Sequence, residues 1–129
     1  KYTSSNLVIP NTIDYYPVVG ITDEAFVDSQ GCITNIIVPN TVRKIGAHAF
    51  AHNTNLWSIA IPSSVTDIGQ DVFKKSTNLK KIYLEEGSSL TDECFYDSYH
   101  VNLHPNCKII RTKFENGLPV IPKEEQPKK

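Results

Sequence analysis

Ile36–Leu56 reads IIVPNTVRKIGAHAFAHNTNL and Ile59–Leu79 reads IAIPSSVTDIGQDVFKKSTNL, and the two strings lie on each other without a gap. Ile36, Ile59 and Ile82 are 23 residues apart, as are Pro39 and Pro62, Val42 and Val65, Ile45 and Ile68, and Leu56 and Leu79. Four of the five phenylalanines, Phe26, Phe50, Phe73 and Phe95, follow at intervals of 24, 23 and 22. A fixed period of this length marks stacked units, each too small to bury its own apolar side chains without a neighbour.

Outside this pair the beat loosens. The first unit, LVIPNTIDYYPVVGITDEAF (Leu7–Phe26), carries about five extra residues, mostly Ile13–Pro17. The last, IYLEEGSSLTDECF (Ile82–Phe95), has Glu85 in the proline position and Thr91 in the glycine position. Terminal units of a stack meet solvent on one side, so atypical residues are expected there.

One unit can be read physically. Ile59 and Ile61 alternate with Ala60, the period-two pattern of a half-buried strand. Pro62 lacks a ladder donor and ends it. Val65 and Ile68 then turn inward, and Gly69 opens a short helical turn ending at Val72–Phe73. Thr22 and Thr91 replace that glycine in the matching strings TDEAF and TDECF, where threonine serves as an N-cap.

The pattern Ile-Pro-x-x-Val-x-x-Ile-Gly-x-x-Ala/Val-Phe resembles the BspA-like class of leucine-rich repeats, over about two-thirds of the chain from Leu7 to Phe95. The resemblance implies an α/β-type repeat solenoid: a short right-handed stack of about four leucine-rich coils, with a parallel β-sheet on one side and loops and one-turn helices on the other. It also implies an exported or cell-surface protein, bacterial in type, used in adhesion and host contact. The class has no shared catalytic residues to transfer.

Beyond the last unit, Val101–Leu103 and Cys107–Phe114 read as closing strands, with His104-Pro105-Asn106 and Asn116-Gly117 as turns. PVIPKEEQPKK, from Pro119 onward, is rich in proline and charge and reads as a disordered linker or tail. The expected organisation is a lead-in over 1–6, repeats over 7–98, cap strands over 99–118 and a tail over 119–129. The sequence begins at Lys1 and contains no methionine, so it reads as a piece of a longer protein.

Composition narrows the function. Of 129 residues, 40 % are hydrophobic and 21 % charged, with a net charge of −1. That balance supplies no attraction for nucleic acid or anionic membranes. No run approaches the roughly 18 apolar residues of a membrane span.

Candidate chemistry is thin. His48 and His52 are four apart, a spacing that sets two imidazoles side by side on a helix, but a closed zinc site needs about two further ligands. His100 and His104 pose the same question near the cap, and both pairs read as surface histidines. Cys94 shares a column with Ala25, Ala49 and Val72 and reads as a small buried hydrophobe. Cys32 falls in the column of Asn55 and Asn78, a loop position. Cys107 is a candidate partner for Cys94, a pairing that sequence leaves open. The adjacent acids Asp23-Glu24, Glu85-Glu86 and Asp92-Glu93 lack the separation that paired carboxyl catalysis requires. No Gly-rich phosphate loop, HExxH or GxSxG string occurs. The chain reads as a non-enzyme with no cofactor and no metal.

The outward strand positions read Val8, Ile37, Ala60 and Tyr83, and Trp57, the one tryptophan, precedes its strand. Ile37, Trp57, Ala60, Lys81 and Tyr83 are the candidate partner-binding residues, an apolar ribbon edged by lysines. Trp57 has a second reading, folded back over its loop as core. Tyr15 and Tyr16 are either a further contact point or an N-terminal cap. The expected function is recognition of a protein or glycan at the cell surface or outside the cell. An architectural, self-associating spacer and an accessory domain of a secreted enzyme are the alternatives.

Overall fold

Stacking turns each sequence column into a ladder. The structure, a computed structural model, describes residues 6–28, 33–95 and 107–127. The first coil holds β1 (Asn6–Val8), a hairpin of β2 (Thr12–Ile13) and β3 (Tyr16–Pro17), and β4 (Gly20–Ile21). The second holds β5 (Asn35–Ile37) and β6 (Lys44–Ile45), and the third β7 (Ser58–Ile61) and β8 (Asp67–Ile68). Then come β9 (Lys81–Glu85), a 3-10 turn at Asp92–Phe95, β10 (Lys108–Thr112) and a hairpin of β11 (Phe114–Glu115) and β12 (Leu118–Pro119).

The main sheet is parallel, in the order β1-β5-β7-β9-β10, with Ile36 opposite Ile59 and Ile59 opposite Ile82. Each step along it is one coil, right-handed as parallel connections almost always are. On another side β4, β6 and β8 form a shorter parallel ladder. Between the two sheets lie Ile36, Ile59 and Ile82, then Val42, Val65 and Ile45, all buried. At the far corner the phenylalanines stack ring on ring: Phe26 to Phe50 at 5.5 Å, Phe50 to Phe73 at 6.1 Å and Phe73 to Phe95 at 5.9 Å.

The corner before each phenylalanine is not helical in the first three coils. Glu24, Phe26 and Asp28 donate their N–H groups to the carbonyls of Ala47, Ala49 and Ala51. His48, Phe50 and His52 donate likewise to Gln70, Val72 and Lys74. The backbone is thus satisfied between coils, whereas a helix would satisfy it within one. This geometry needs a left-handed residue twice per coil, at Glu24 and Asp28, His48 and His52, and Asp71 and Lys75. Only the last coil closes as a 3-10 turn.

Glycine in this corner serves close approach. A Cβ on Gly69 would lie 2.3 Å from the Ala47 nitrogen, and one on Gly46 2.5 Å from the Asp23 nitrogen. Thr22 occupies the same place in the first coil.

Of the C-terminal segments, one is a strand as its sequence suggests and one departs from its reading. Lys108–Thr112 joins the main sheet as its fifth parallel strand, with Ile109 beside Ile82. The stretch read as tail, 119–129, lies against the sheet over its described part, 119–127. Thr112 Oγ1 donates to the Val120 carbonyl at 2.7 Å, Val120 N donates to Lys113 O at 2.9 Å, and a 3-10 turn forms at Lys123–Glu125. Pro119, Pro122 and Pro127 each fix one backbone angle of this segment, which lowers the chain entropy it loses on docking. Asn116-Gly117, both at positive φ, makes the tight turn of the β11–β12 hairpin. The strand Val101–Leu103 and the turn at His104-Pro105-Asn106 lie outside the described residues, as do Cys32, His100 and the lead-in apart from Asn6.

Candidate functional site

Alternate residues of the main sheet point away from the core and form two columns. Asn6, Asn35, Ser58, Lys81 and Lys108 make one, and Val8, Ile37, Ala60, Tyr83 and Ile110 the other. Over its first three members the polar column is hydrogen-bonded from strand to strand. Ser58 Oγ donates to Asn35 Oδ1 at 2.5 Å, and Asn35 Nδ2 donates to Asn6 Oδ1 at 2.8 Å. These bonds fix the rotamers of the first three strands on this face.

The apolar column is open at one end and covered at the other. Val8 is 62 % exposed and Ile37 is half-buried, whereas Ala60 and Tyr83 keep only 2 % and 7 %. Ala60 is a small side chain sunk between Ile37 and Tyr83, its neighbours in register. Tyr83 lies on β9, against which β12 packs and to which Glu125 of the following segment is tied through Lys81. Burial raises the Tyr83 phenol pKa, against the pull of the neighbouring Lys81 charge. The continuous ribbon expected from sequence is therefore interrupted: Ile37 and Trp57 reach solvent, and Ala60 and Tyr83 do not.

Trp57 is 46 % exposed, and the Lys81 ammonium stands 5.5 Å from its ring centroid. The indole is not a core residue. Lys81 also meets Glu125 Oε1 at 3.0 Å, while Lys108 meets Oε2 of the same carboxylate at 3.2 Å. The hydrogen bonds from Lys81 and Lys108 lower the Glu125 carboxyl pKa. Sequence gave no sign of this clasp, because 44 residues separate Lys81 from Glu125.

Beside the open end lies a cleft of about 570 Å³, floored by Val8, Ile37 and Pro39 and walled by Phe114 and Leu118 of the C-terminal hairpin. Among the described residues its one charged lining residue is Glu85, whose Oε1 accepts from Ser63 N at 2.9 Å and Ser63 Oγ at 3.1 Å. The cleft has the size of a small-ligand or side-chain site.

The other sequence candidates fall elsewhere. Tyr15 and Tyr16 sit on the β2–β3 hairpin, 100 % and 76 % exposed, so they do not cap the first coil. His48 Nε2 is 3.6 Å from Asp71 Oδ2 on the next coil, and the corner carrying His48 and His52 is not a helix, so the side-by-side geometry lapses. Among the described residues no group of three or more His, Cys, Asp or Glu side chains gathers as for a metal ion. Cys94 and Cys107 are both free, half-buried against the core, and burial pushes each thiol pKa up to about 11. Among the described residues no helix is long and apolar enough to cross a membrane.

Comparison with known proteins agrees with this architecture. The family profile described as BspA type leucine rich repeat region matches residues 2–122, in six copies. The chain is similar to the crystal structure of a leucine rich repeat protein of T. pallidum, at 28 % identity and TM-score 0.56, covering 84 % of this chain and 52 % of that one. It shares its fold with a leucine rich cell surface protein of Faecalibacterium prausnitzii A2-165, at 23 % identity and TM-score 0.57, covering 82 % of this chain and 35 % of that one. The chain thus spans about half the length of the first and about a third of the second. No curated protein matches it.

Proposed function

Because the chain belongs to the BspA-type leucine-rich repeat family, we propose that it is a non-catalytic recognition module of an exported or cell-surface protein, binding a protein partner through the outward face of its parallel sheet. The observation that carries this reading is the open end of that face: Val8 and Ile37 reach solvent on strands whose opposite side is close-packed, and Trp57 reaches solvent just before β7. A face held by a core and a hydrogen-bonded polar column loses little ordering entropy on binding. Its aliphatic floor and the adjoining cleft favour protein side chains over a glycan. The surface location draws support from the F. prausnitzii neighbour, a cell surface protein by name.

The test is binding of the purified chain to an array of extracellular proteins, repeated with Ile37→Asp and Trp57→Ala. Trp57→Ala is expected to weaken a specific interaction by more than about 1 kcal/mol while the fold survives. Undiminished binding by both variants would remove this face from the function. Self-association is a second reading, favoured by β1 lying at the edge of the main sheet among the described residues. Sedimentation that depends on concentration would select it.

A further inference from the structure

Part of the outward face already holds a peptide, and that peptide belongs to the chain itself. Lys81 and Lys108 stand opposite each other on adjacent parallel strands, and their ammonium groups take one carboxylate oxygen each from Glu125. Lys81 donates in addition to the Glu125 backbone carbonyl at 3.3 Å. The bound features are a carboxylate side chain and a main-chain carbonyl, which any acidic peptide can present. Tyr83 and Trp57 flank the pair, one covered and one open.

The occupant is held lightly. From Lys113 to Pro127 no side chain is fully buried, and Leu118 is 52 % exposed. Among the described residues its attachments are the Glu125 clasp, the bonds of Val120 to Thr112 and Lys113, internal turn bonds, and the packing of β12 on β9. The strands beneath it are anchored by side chains such as Ile82 and Leu84, which are wholly buried. Segments with few buried apolar contacts open at far lower free energy than the core they lie on.

We propose that the Lys81–Lys108 pair is a docking site for an extended acidic peptide segment of another protein, and that residues 118–127 are its displaceable internal occupant. The proposal rests on the recognition reading of the sheet face and adds the chemistry of the partner. An attached competitor lowers the apparent affinity for an external peptide by the fraction of time the site stands open. Weakening the clasp from the strap side therefore strengthens external binding, whereas removing a lysine abolishes it.

The probe is a labelled synthetic peptide of sequence LPVIPKEEQP, which copies residues 118–127, titrated against the full chain. Glu125→Gln is expected to bind it at least about tenfold more tightly than the parent chain. The same peptide should not bind Glu125→Gln/Lys81→Met or Glu125→Gln/Lys108→Met. A peptide with glutamine in place of the glutamate matching Glu125 should not bind Glu125→Gln. Circular dichroism confirms that each variant is folded. Equal affinity of Glu125→Gln and parent, or unchanged binding of the glutamine peptide, would overturn the proposal. So would displacement by a sulfated polysaccharide in the absence of any carboxylate dependence. The array result with Ile37→Asp reads the open end of the face and reports on the recognition reading separately.

Discussion

The ammonium of Lys81 lies 5.5 Å from the centre of the Trp57 ring, one coil away. The same side chain is clasped to Glu125, so the tryptophan and the C-terminal segment share one cation. Trp57 consequently reports on both the open face and the strap. Acrylamide should quench its fluorescence at a rate between those of a buried indole and the unfolded chain. Lys81→Ala should raise that rate by uncovering the ring. An indole shielded from acrylamide in the parent chain would contradict the exposed placement.

Glu125 gives the strap a pH dependence of definite sign. The hydrogen bonds from Lys81, then Lys108, hold its carboxyl below the ordinary carboxylate value. A group with a depressed folded-state pKa contributes stability that is fully present above the unfolded value and lost as pH falls through the folded one. The strap should therefore stay seated while ordinary glutamates protonate, and release below that range. Trp57 emission followed through an acid titration reads this directly, and Glu125→Gln should lack the transition. A release centred at or above the ordinary carboxylate range would contradict the clasp.

Gly69→Ala should destabilise the chain by about 1–3 kcal/mol, because the new Cβ meets backbone of the coil beside it and backbone cannot swing away. Gly46→Ala should behave alike. Thr22→Gly, in the first coil, should change stability by less than about 1 kcal/mol. Urea denaturation of the three variants settles the order. If the two alanine variants matched the parent, the coils would be spaced more loosely than the structure has them.

The repeat was legible because its buried columns are simple: isoleucine, valine and phenylalanine at a constant interval face one way and need one another. The ladder of Ile36, Ile59 and Ile82 and the phenylalanine stack follow from the spacing alone. Hydrogen bonding between coils was not legible, since Gly-x-x-Ala-Phe suits a helical turn as well as a chain of left-handed corners. The docked C-terminal segment was hidden for a different reason. Proline- and charge-rich stretches usually stay solvated, and only the fold brings Lys81 and Lys108 together opposite Glu125. Of the expected ribbon, Ala60 is enclosed by its neighbours in register, and Tyr83 is buried on the strand against which β12 packs.

Asn53 is the internal counterpart of the polar column and was not singled out by sequence. It is 1 % exposed, and its Nδ2 reaches the carbonyls of Phe26, Phe50 and Ala51. Ser76, in the same column, accepts from Asn53 N at 3.1 Å and donates to Phe50 O at 2.8 Å. Asn53→Ala removes the shared donor and leaves buried carbonyls underserved, at a cost of about 1–3 kcal/mol. Ser76→Ala should act in the same direction. Thermal melts of both variants check this, and an unchanged melt for Asn53→Ala would mean that water replaces the amide.

The cysteines permit a last test, which bears on any thiol chemistry. Burial lifts Cys94 and Cys107 to about 11, and Asp92 adds to the shift at Cys94. At neutral pH both are then thiols, and it is the thiolate that reacts. In a Cys32→Ser background, which removes the one cysteine outside the described residues, iodoacetamide at pH 7.5 should label the folded chain on the order of 100-fold more slowly than an exposed cysteine. Unfolding in urea should bring both sites to the ordinary rate. Rapid alkylation of either residue in the folded chain would identify an activated thiol and reopen nucleophilic chemistry at the coil that carries it.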